Sequence, residues 1–417
     1  MITQEENERL TRVGPGTPMG ELMRRYWLPI AISSEVGQRP IAKRLLGEDL
    51  VVFRTTDGKV GVVEERCAHR RTSLAIGICE ARGIRCGYHG WLFGHDGVAI
   101  EQPAETRLNP NARVRAYPAQ ELGGLIFTYM GPQPAPLLPR FDLFVMENCI
   151  RDIGHVHMDF NFLQAMENSV DPYHAQFLHG HFAAIKRQLE NKESSFDRHF
   201  QTPHGKIAFD KFDFGIIKRR LLEGESEDAD SWKTGHPLVF PIMVKVGSFN
   251  SGFHQFQIRV PVDDENTHNI WYTVFTPNTN EPIRQTEIPF YEIPLVEKDD
   301  PRMVELVENQ DIAAWRAQGR IYDRTKELPG RTDQGIAIFR RMLMEQMDRV
   351  AAGEDPLGTI RDPAENQYVR LPLEKDKGYG RGIDYTMSIL NVYSASFSPI
   401  RDELVELFQK HGPRVAD

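Results

Sequence analysis

Cysteine is scarce in this chain: Cys67, Cys79, Cys86 and Cys149 are the only four in 417 residues, against fourteen histidines. So few thiols in so long a chain exclude the disulfide framework of small secreted domains. No apolar run approaches the roughly 18 residues that a membrane-spanning helix needs, so no membrane span is expected. The opening Met1-Ile-Thr-Gln-Glu-Glu-Asn-Glu lacks the basic and apolar regions of a signal peptide, which predicts a cytoplasmic protein. Positive charge is not in excess. Fifty Lys and Arg against 59 Asp and Glu leave a net charge of −9, which argues against the basic face of a nucleic-acid binder. No G-x-G-x-x-G fingerprint lies on a strand–helix unit, so no dinucleotide-binding segment is expected in the chain. Internal repeats and low-complexity segments are absent too. What remains, 40% hydrophobic and 26% charged, is ordinary globular composition with material for two or three domains.

Residues 1–37 read as a helical lead-in, with Thr17 as a cap and Met19, Leu22, Met23 and Tyr26 at helical spacing. From there the period becomes two. Residues 44–53 and 59–63 flank Thr56-Asp57-Gly58, a hairpin signal, and 125–130 is a further strand after a Gly-Gly pair. The proline cluster Gly131-Pro-Gln-Pro-Ala-Pro136 marks the exit from a small β domain spanning 38–150. In the remainder, 151–417, strands are expected near 155–160, 206–222, 239–249 and 254–276. Helices are expected over 162–180, 300–318, 333–351 and 401–410. Strands following strands without intervening helices predict an α+β domain, an antiparallel sheet flanked by helices. The acidic run 223–230 reads as a solvated loop.

The first constellation is Cys67-Ala-His69, sixteen residues, then Cys86-Gly-Tyr-His89-Gly90-Trp91. Two loops each supply one thiolate and one imidazole. Cys2His2 also suits structural zinc, whose fingers pair the cysteines in one motif and the histidines in another. Here each cysteine is paired with a histidine. A two-iron cluster needs that division if both thiolates hold one iron and both imidazoles the other, the ligand set of a Rieske [2Fe–2S] centre. Cys79 and Cys149 read as plain core or partly exposed thiols.

An electron carrier would end there, yet more than 300 residues follow. Asn168-Ser-Val-Asp171-Pro-Tyr-His174-Ala-Gln-Phe-Leu-His179 puts polar groups beside Leu163, Met166 and Val170. Five residues span about 140° of an ideal helix, so His174 and His179 converge on one ion only if the helix is distorted or ends between them. Pro172 and Gly180 make room for that. A third ligand is needed, and Asp311 interrupts the apolar stripe Val304, Val307, Ala314, Trp315 with a charge that must find a partner. Glu308, Asp323 and Asp333 compete for the role. Two His and one carboxylate form the facial triad of non-heme Fe(II) oxygenases.

With Arg70, Gly90 and Trp91, the first motif resembles the Rieske domain of bacterial aromatic-ring oxygenases. Respiratory Rieske proteins carry a further cysteine pair across these loops. Thr72 and Tyr88 stand at the matching positions, which points to an oxygenase. Asn168-x-x-Asp171-x-x-His174-x₄-His179 resembles the mononuclear-iron motif of that same family. Asn309-Gln-Asp311, together with the run from Asp323 through Glu327 to Asp333, resembles its phthalate-oxygenase branch. The resemblance implies a [2Fe–2S] cluster on Cys67, His69, Cys86 and His89, and Fe(II) on His174, His179 and Asp311. Asp171, with Asn168 in the same motif, would hydrogen-bond a metal-bound histidine and bridge to the Rieske histidine of a neighbouring subunit. That implies a homotrimer fed by a ferredoxin or a flavin-dependent NAD(P)H reductase, acting with O₂ on an aromatic acid. Residues 162–174 resemble the dehydrodivanillate O-demethylases more than phthalate dioxygenase, which favours O-demethylation of a methoxylated, lignin-derived acid over ring hydroxylation. Arg259, Lys245, Arg219 and Arg220 are candidates to meet the acid group. The reading of another class is a Rieske electron-transfer or redox-sensing protein without oxygenase activity.

Overall fold

Leu46 and Gly47 both take positive φ, +49° and +76°, so the chain reverses in two residues where the sequence pattern suggested a continuous strand over 44–53. The computed structural model describes residues 2–189, 200–279, 281–295, 306–376 and 382–415. They form two compact units, a smaller one of Arg12–Arg140 with Thr359–Gln367 and a larger one of Met1–Thr11, Phe141–Gly358 and Tyr368–Asp417.

The smaller unit is β throughout after a short helix, Pro18–Met23, which Thr17 caps as expected by accepting from Gly20 N at 3.1 Å. Its strands are β1 (Trp27–Ile32), β2 (Ile41–Leu45), β3 (Glu48–Arg54), β4 (Val60–Glu64), β5 (Ile78–Glu80), β6 (Gly83–Arg85), β7 (Leu92–Phe93), β8 (Ala99–Glu101), β9 (Ala116–Tyr117), β10 (Ala119–Leu122) and β11 (Leu125–Tyr129). They make three sheets, ordered β1-β11-β10, β2-β3-β4-β9 and β5-β6-β7-β8. Val51, Phe53, Val63, Leu74, Ile84 and Phe93 are buried together with Cys67 and Cys86, so the two thiols belong to this core.

In the larger unit an eight-stranded sheet runs β13-β14-β15-β16-β17-β18-β12-β19, antiparallel except for the β12–β19 pair. The strands are β12 (Ile150–Met158), β13 (His204–Phe212), β14 (Gly215–Leu222), β15 (His236–Val239), β16 (Met243–Ser248), β17 (Phe253–Pro261), β18 (Thr267–Phe275) and β19 (Phe290–Glu292). β18 is buried along its whole length because both faces are covered. Trp271 packs with Ile312 and Trp315, and Phe275 with Tyr385, Ile389 and Phe408, on one face. Alternation turns Tyr272 to the other, where Phe144 meets it edge-on at 4.9 Å. Among the described residues no helix is long and apolar enough to cross a membrane.

The unit limits differ from a single cut near 150. β1 pairs with β11 inside the smaller unit, so residues 27–32 are no lead-in. The helix Gln4–Thr11 belongs instead to the larger unit, where Asn7 donates to Tyr322 O and Asn161 to Thr11 O. Residues 359–367 return to the smaller unit through Leu137 N to Ile360 O at 2.9 Å. A pattern read along the chain does not show such long-range returns.

Candidate metal centres

The two cysteine loops fold as copies of one turn. Cys67 N donates to Thr72 O and Arg71 N to Cys67 O, at 2.9 and 3.0 Å. Cys86 N likewise donates to Trp91 O and Gly90 N to Cys86 O, at 2.8 and 3.0 Å. Each turn closes on a left-handed residue, Arg71 at φ +57° and Gly90 at φ +76°, and glycine adopts that conformation without cost. Arg85 donates to Gly90 O at 2.7 Å and holds the second turn. The thiols face the core while the imidazoles stand at the surface, their ring centroids 4.6 Å apart, with His69 stacked on Trp91 at 4.7 Å and 6°. Burial, with Cys86 adjacent, pushes the Cys67 thiol up to about 11. Two buried free thiols opposite two imidazoles fit a two-iron cluster, whose positive charge deprotonates them. Cys79 lies in β5, and Cys149 donates to Met146 O.

The helix expected over 162–180 breaks. An α-helix, Phe162–Ser169, ends at Val170, and a π-helix, Ala175–Phe182, starts after His174. Pro172 lacks the N–H the helix would need, and Asp171 instead accepts from Tyr173 N at 2.8 Å. The i→i+5 bonding of a π-turn brings residues five apart nearly above one another. His174 and His179 therefore converge, with ring centroids 5.3 Å apart. The helix Val307–Ala317 brings Asp311 to them, its Oδ1 3.3 Å from His179 Nε2 and 3.8 Å from His174 Nε2. One donor atom from each residue lies within 4.8 Å of the other two, a set that can hold a metal ion. Val304 of the apolar stripe lies outside the described residues.

The surroundings tune these three. Burial opposes ionisation of Asp311, yet His179, then His174 and Arg259, hold its carboxyl below the usual range. Burial also opposes charge on His179, but Asp311 outweighs it and raises the imidazole. A metal cation at this point would be balanced by the Asp311 carboxylate and would take the lone pair of a neutral His179 imidazole. Asn168 donates to Asp311 Oδ1 at 3.4 Å, and Asp171 Oδ2 stands 3.7 Å from His174 Nδ1. Sequence reasoning gave no role to Gln310, whose Oε1 lies 2.8 Å from His179 Nδ1. An amide oxygen there fixes the proton on Nδ1 and frees Nε2 for a metal. Replacing Gln310 by Leu is expected to weaken Fe(II) roughly 10–100-fold, read by competition with a ferrous chelator.

The other carboxylates lead elsewhere. Glu308 accepts from Ser394 N at 2.9 Å, Asp323 caps a short turn at Thr325, and Asp333 accepts from Gly330 N. Among the basic candidates, Lys245 is buried against Asp142 at 2.7 Å, and Arg219 pairs with Asp210 at the surface. Arg220 and Arg259 line a cavity of about 100 Å³ beside His174, His179 and Asp311, and so do Lys218 and His236. Their signal was present in β14, where Ile216, Lys218, Arg220 and Leu222 form the buried face.

A family profile described as "Rieske [2Fe-2S] domain" matches residues 26–118, and one described as "LigXa C-terminal domain like" matches 278–370. The 5,5'-dehydrodivanillate O-demethylase oxygenase subunit of Sphingobium sp. (strain NBRC 103272 / SYK-6) is 39% identical over 382 residues, covering 89% of this chain and 87% of its own. The phthalate 4,5-dioxygenase oxygenase subunit of Pseudomonas putida is 31% identical, covering 86% and 89%. An oxygenase variant of carbazole 1,9a-dioxygenase, solved in complex with ferredoxin, superposes with a TM-score of 0.54 over 82% of this chain and 94% of that one. At 19% identity that likeness concerns the fold alone. With a Rieske domain, a matching C-terminal domain and such relatives, the chain belongs to the Rieske non-heme iron oxygenases, as an oxygenase subunit that carries a [2Fe–2S] cluster and a mononuclear iron.

Proposed function

We propose that this oxygenase oxidatively O-demethylates a methoxylated, lignin-derived aromatic acid, with Cys67, His69, Cys86 and His89 holding the cluster and His174, His179 and Asp311 the iron. The carrying observation is the cavity in which Lys218, Arg220 and Arg259 meet those three iron-site residues. Burial pushes the Arg259 guanidinium down to about 10 despite Asp311, and its Nε–H has no partner. A substrate carboxylate would supply the missing acceptor. Val244, Val246 and Phe200 give the same cavity an apolar wall against which an aromatic ring desolvates. The dehydrodivanillate and phthalate relatives, both named for aromatic acids, support the class of substrate.

Iron bound at this site, supplied with electrons from the cluster, furnishes O₂ activation. The protein's residues position and exclude. Gln310 fixes the tautomer of His179, Asn168 steadies Asp311, and the cationic wall would hold the substrate carboxylate beside the triad. One O₂, two electrons and two protons convert the methoxy carbon to a hemiacetal and water, and the hemiacetal collapses to formaldehyde and a phenol. Ferredoxin and reductase components serve oxygenase subunits of this family as electron donors.

Asp171 and His174 also line a second cavity of about 410 Å³ with Leu328 and Arg340. An Asp171 reachable from solvent suits electron entry from a neighbouring subunit's cluster, hence a homotrimer in which the smaller unit is the electron-transfer part and the larger unit the catalytic part. An active monomer in light scattering would refute that assembly. The cytoplasm, which maintains both reduced thiols and NADH, suits the requirements. Incubation with a methoxylated aromatic acid, reductase and NADH is expected to release formaldehyde and phenol in equal amounts. A cis-diol from a phthalate, without formaldehyde from any methoxylated acid, would replace this reading with ring hydroxylation.

A further inference from the structure

Three histidines outside the iron site meet on the sheet. His157 on β12 is in direct register with His268 on β18, and His155 lies two residues along the same face. Strand alternation assigns that face. Arg259 and Gln257, which line the iron cavity, pair with Asn269 and Trp271, of opposite parity to His268. The trio therefore occupies the face of the sheet away from the cavity, with the Lys245–Asp142 pair.

One donor nitrogen from each ring lies within 4.8 Å of the other two. His268 Nε2 is 3.3 Å from His155 Nδ1. Metal–nitrogen bonds of about 2.0–2.1 Å at tetrahedral angles put neighbouring donors about 3.3 Å apart, so this pair already spans one edge of such a site. The ring of His157 stacks on that of His268 at 4.3 Å and 11°. His157 is exposed, so its ring can swing to direct a nitrogen at the same point and leave the fourth position to water. In Cα register the neighbour of His155 on β19 is Glu292, an exposed carboxylate that adds negative potential beside the trio.

Stacked neutral imidazoles can coexist without a metal, and that is the simpler account of the stack alone. The His268–His155 contact can likewise be a hydrogen bond, but neither contact requires a donor nitrogen of all three rings to gather within 4.8 Å. We infer that His155, His157 and His268 form a second, surface metal site for a borderline divalent cation, Zn²⁺ above all. Three imidazoles without a carboxylate among them suit that class and not Mg²⁺ or Ca²⁺.

The test uses holoenzyme with both iron centres loaded and its iron content recorded. After exposure to ZnCl₂ and desalting, metal analysis is expected to find one zinc per chain with the iron unchanged, and the unfolding midpoint to rise with zinc. His157→Ala, at an exposed position, and His155→Ala are each expected to weaken zinc by more than roughly tenfold while retaining both iron centres. Absence of zinc, equal zinc in the variants, or zinc gained only as iron leaves would each overturn the site.

Discussion

Replacing His174 by alanine is expected to remove the mononuclear iron and to lower turnover at least roughly a thousandfold, about 4 kcal/mol of barrier. The two irons of the cluster and its visible absorption should remain, because the cysteine loops are built in a different compact unit. The reason lies in the donor count. His179 and Asp311, with Nε2 and Oδ1 3.3 Å apart, would be the only two of the three triad residues left to hold an ion. Iron analysis of the variant after Fe(II) reconstitution, with formaldehyde release or substrate loss as the activity readout, decides the matter. Unchanged iron and turnover in that variant would remove the triad assignment. Asn168→Ala should do far less, since Asn168 reaches Asp311 only through a long hydrogen bond of 3.4 Å.

A stability effect of comparable size is expected seven residues before His174. Glu167 takes both Arg324 Nε and Nη2 at 2.8 Å, and Arg340 Nε at 2.6 Å, with Arg324 wholly buried. Replacing Glu167 by alanine strands a guanidinium with no counter-charge in the interior, a loss of about 3–5 kcal/mol. At roughly 2–4 °C per kcal/mol the melting midpoint should fall on the order of 10 °C. The exposed pair Lys206–Glu227, 2.6 Å apart, provides the contrast, because breaking it should cost under about 1 kcal/mol. Burial opposes ionisation of Glu167, but Arg324 and then Arg340 hold its carboxyl below the ordinary value. A depressed folded pKa contributes stability that is full above the ordinary glutamate value of about 4.3 and fades as pH falls through the folded one. Denaturant melts of wild type and Glu167→Ala at neutral and acid pH should therefore converge on the acid side. A difference that persists there would point to lost packing instead of lost charge.

The site was unevenly legible along the chain. C-x-H and C-x-x-H announce their chemistry because a tight turn keeps both donors within a few residues. His174 and His179 announced a problem instead, five residues apart on what read as one helix, and the π-helix after Pro172 resolves it. Asp311 could be named as a charge on an apolar stripe, but nothing local separated it from Glu308. The two differ by three residues on one helix, and only packing sends Glu308 to Ser394 and Asp311 to the histidines. Gln310 stood inside the quoted Asn309-Gln-Asp311 motif but received no role, since an amide beside an acid is unremarkable until an imidazole is found against it. Lys218 and Arg220 were readable as charges on the buried side of a strand, although Arg220 was singled out and Lys218 was not.

Ligand types, their spacing and the switch of period from helix to strand are local quantities. They were enough to establish two metal centres, a β-rich first part and an α+β second part. Convergence is not local. It depends on which strand lies beside which, on where a helix loses its regular bonding, and on which carboxylate a distant helix delivers. His174 and Asp311 are separated by 137 positions, and the energies that bring them together are summed over the core between them. The same holds for His157 and His268, which nothing in the linear order connects and which register alone makes neighbours. Tertiary packing also decided the limits of the compact units, because residues 359–367 return to the segment 134–140, laid down more than two hundred residues earlier.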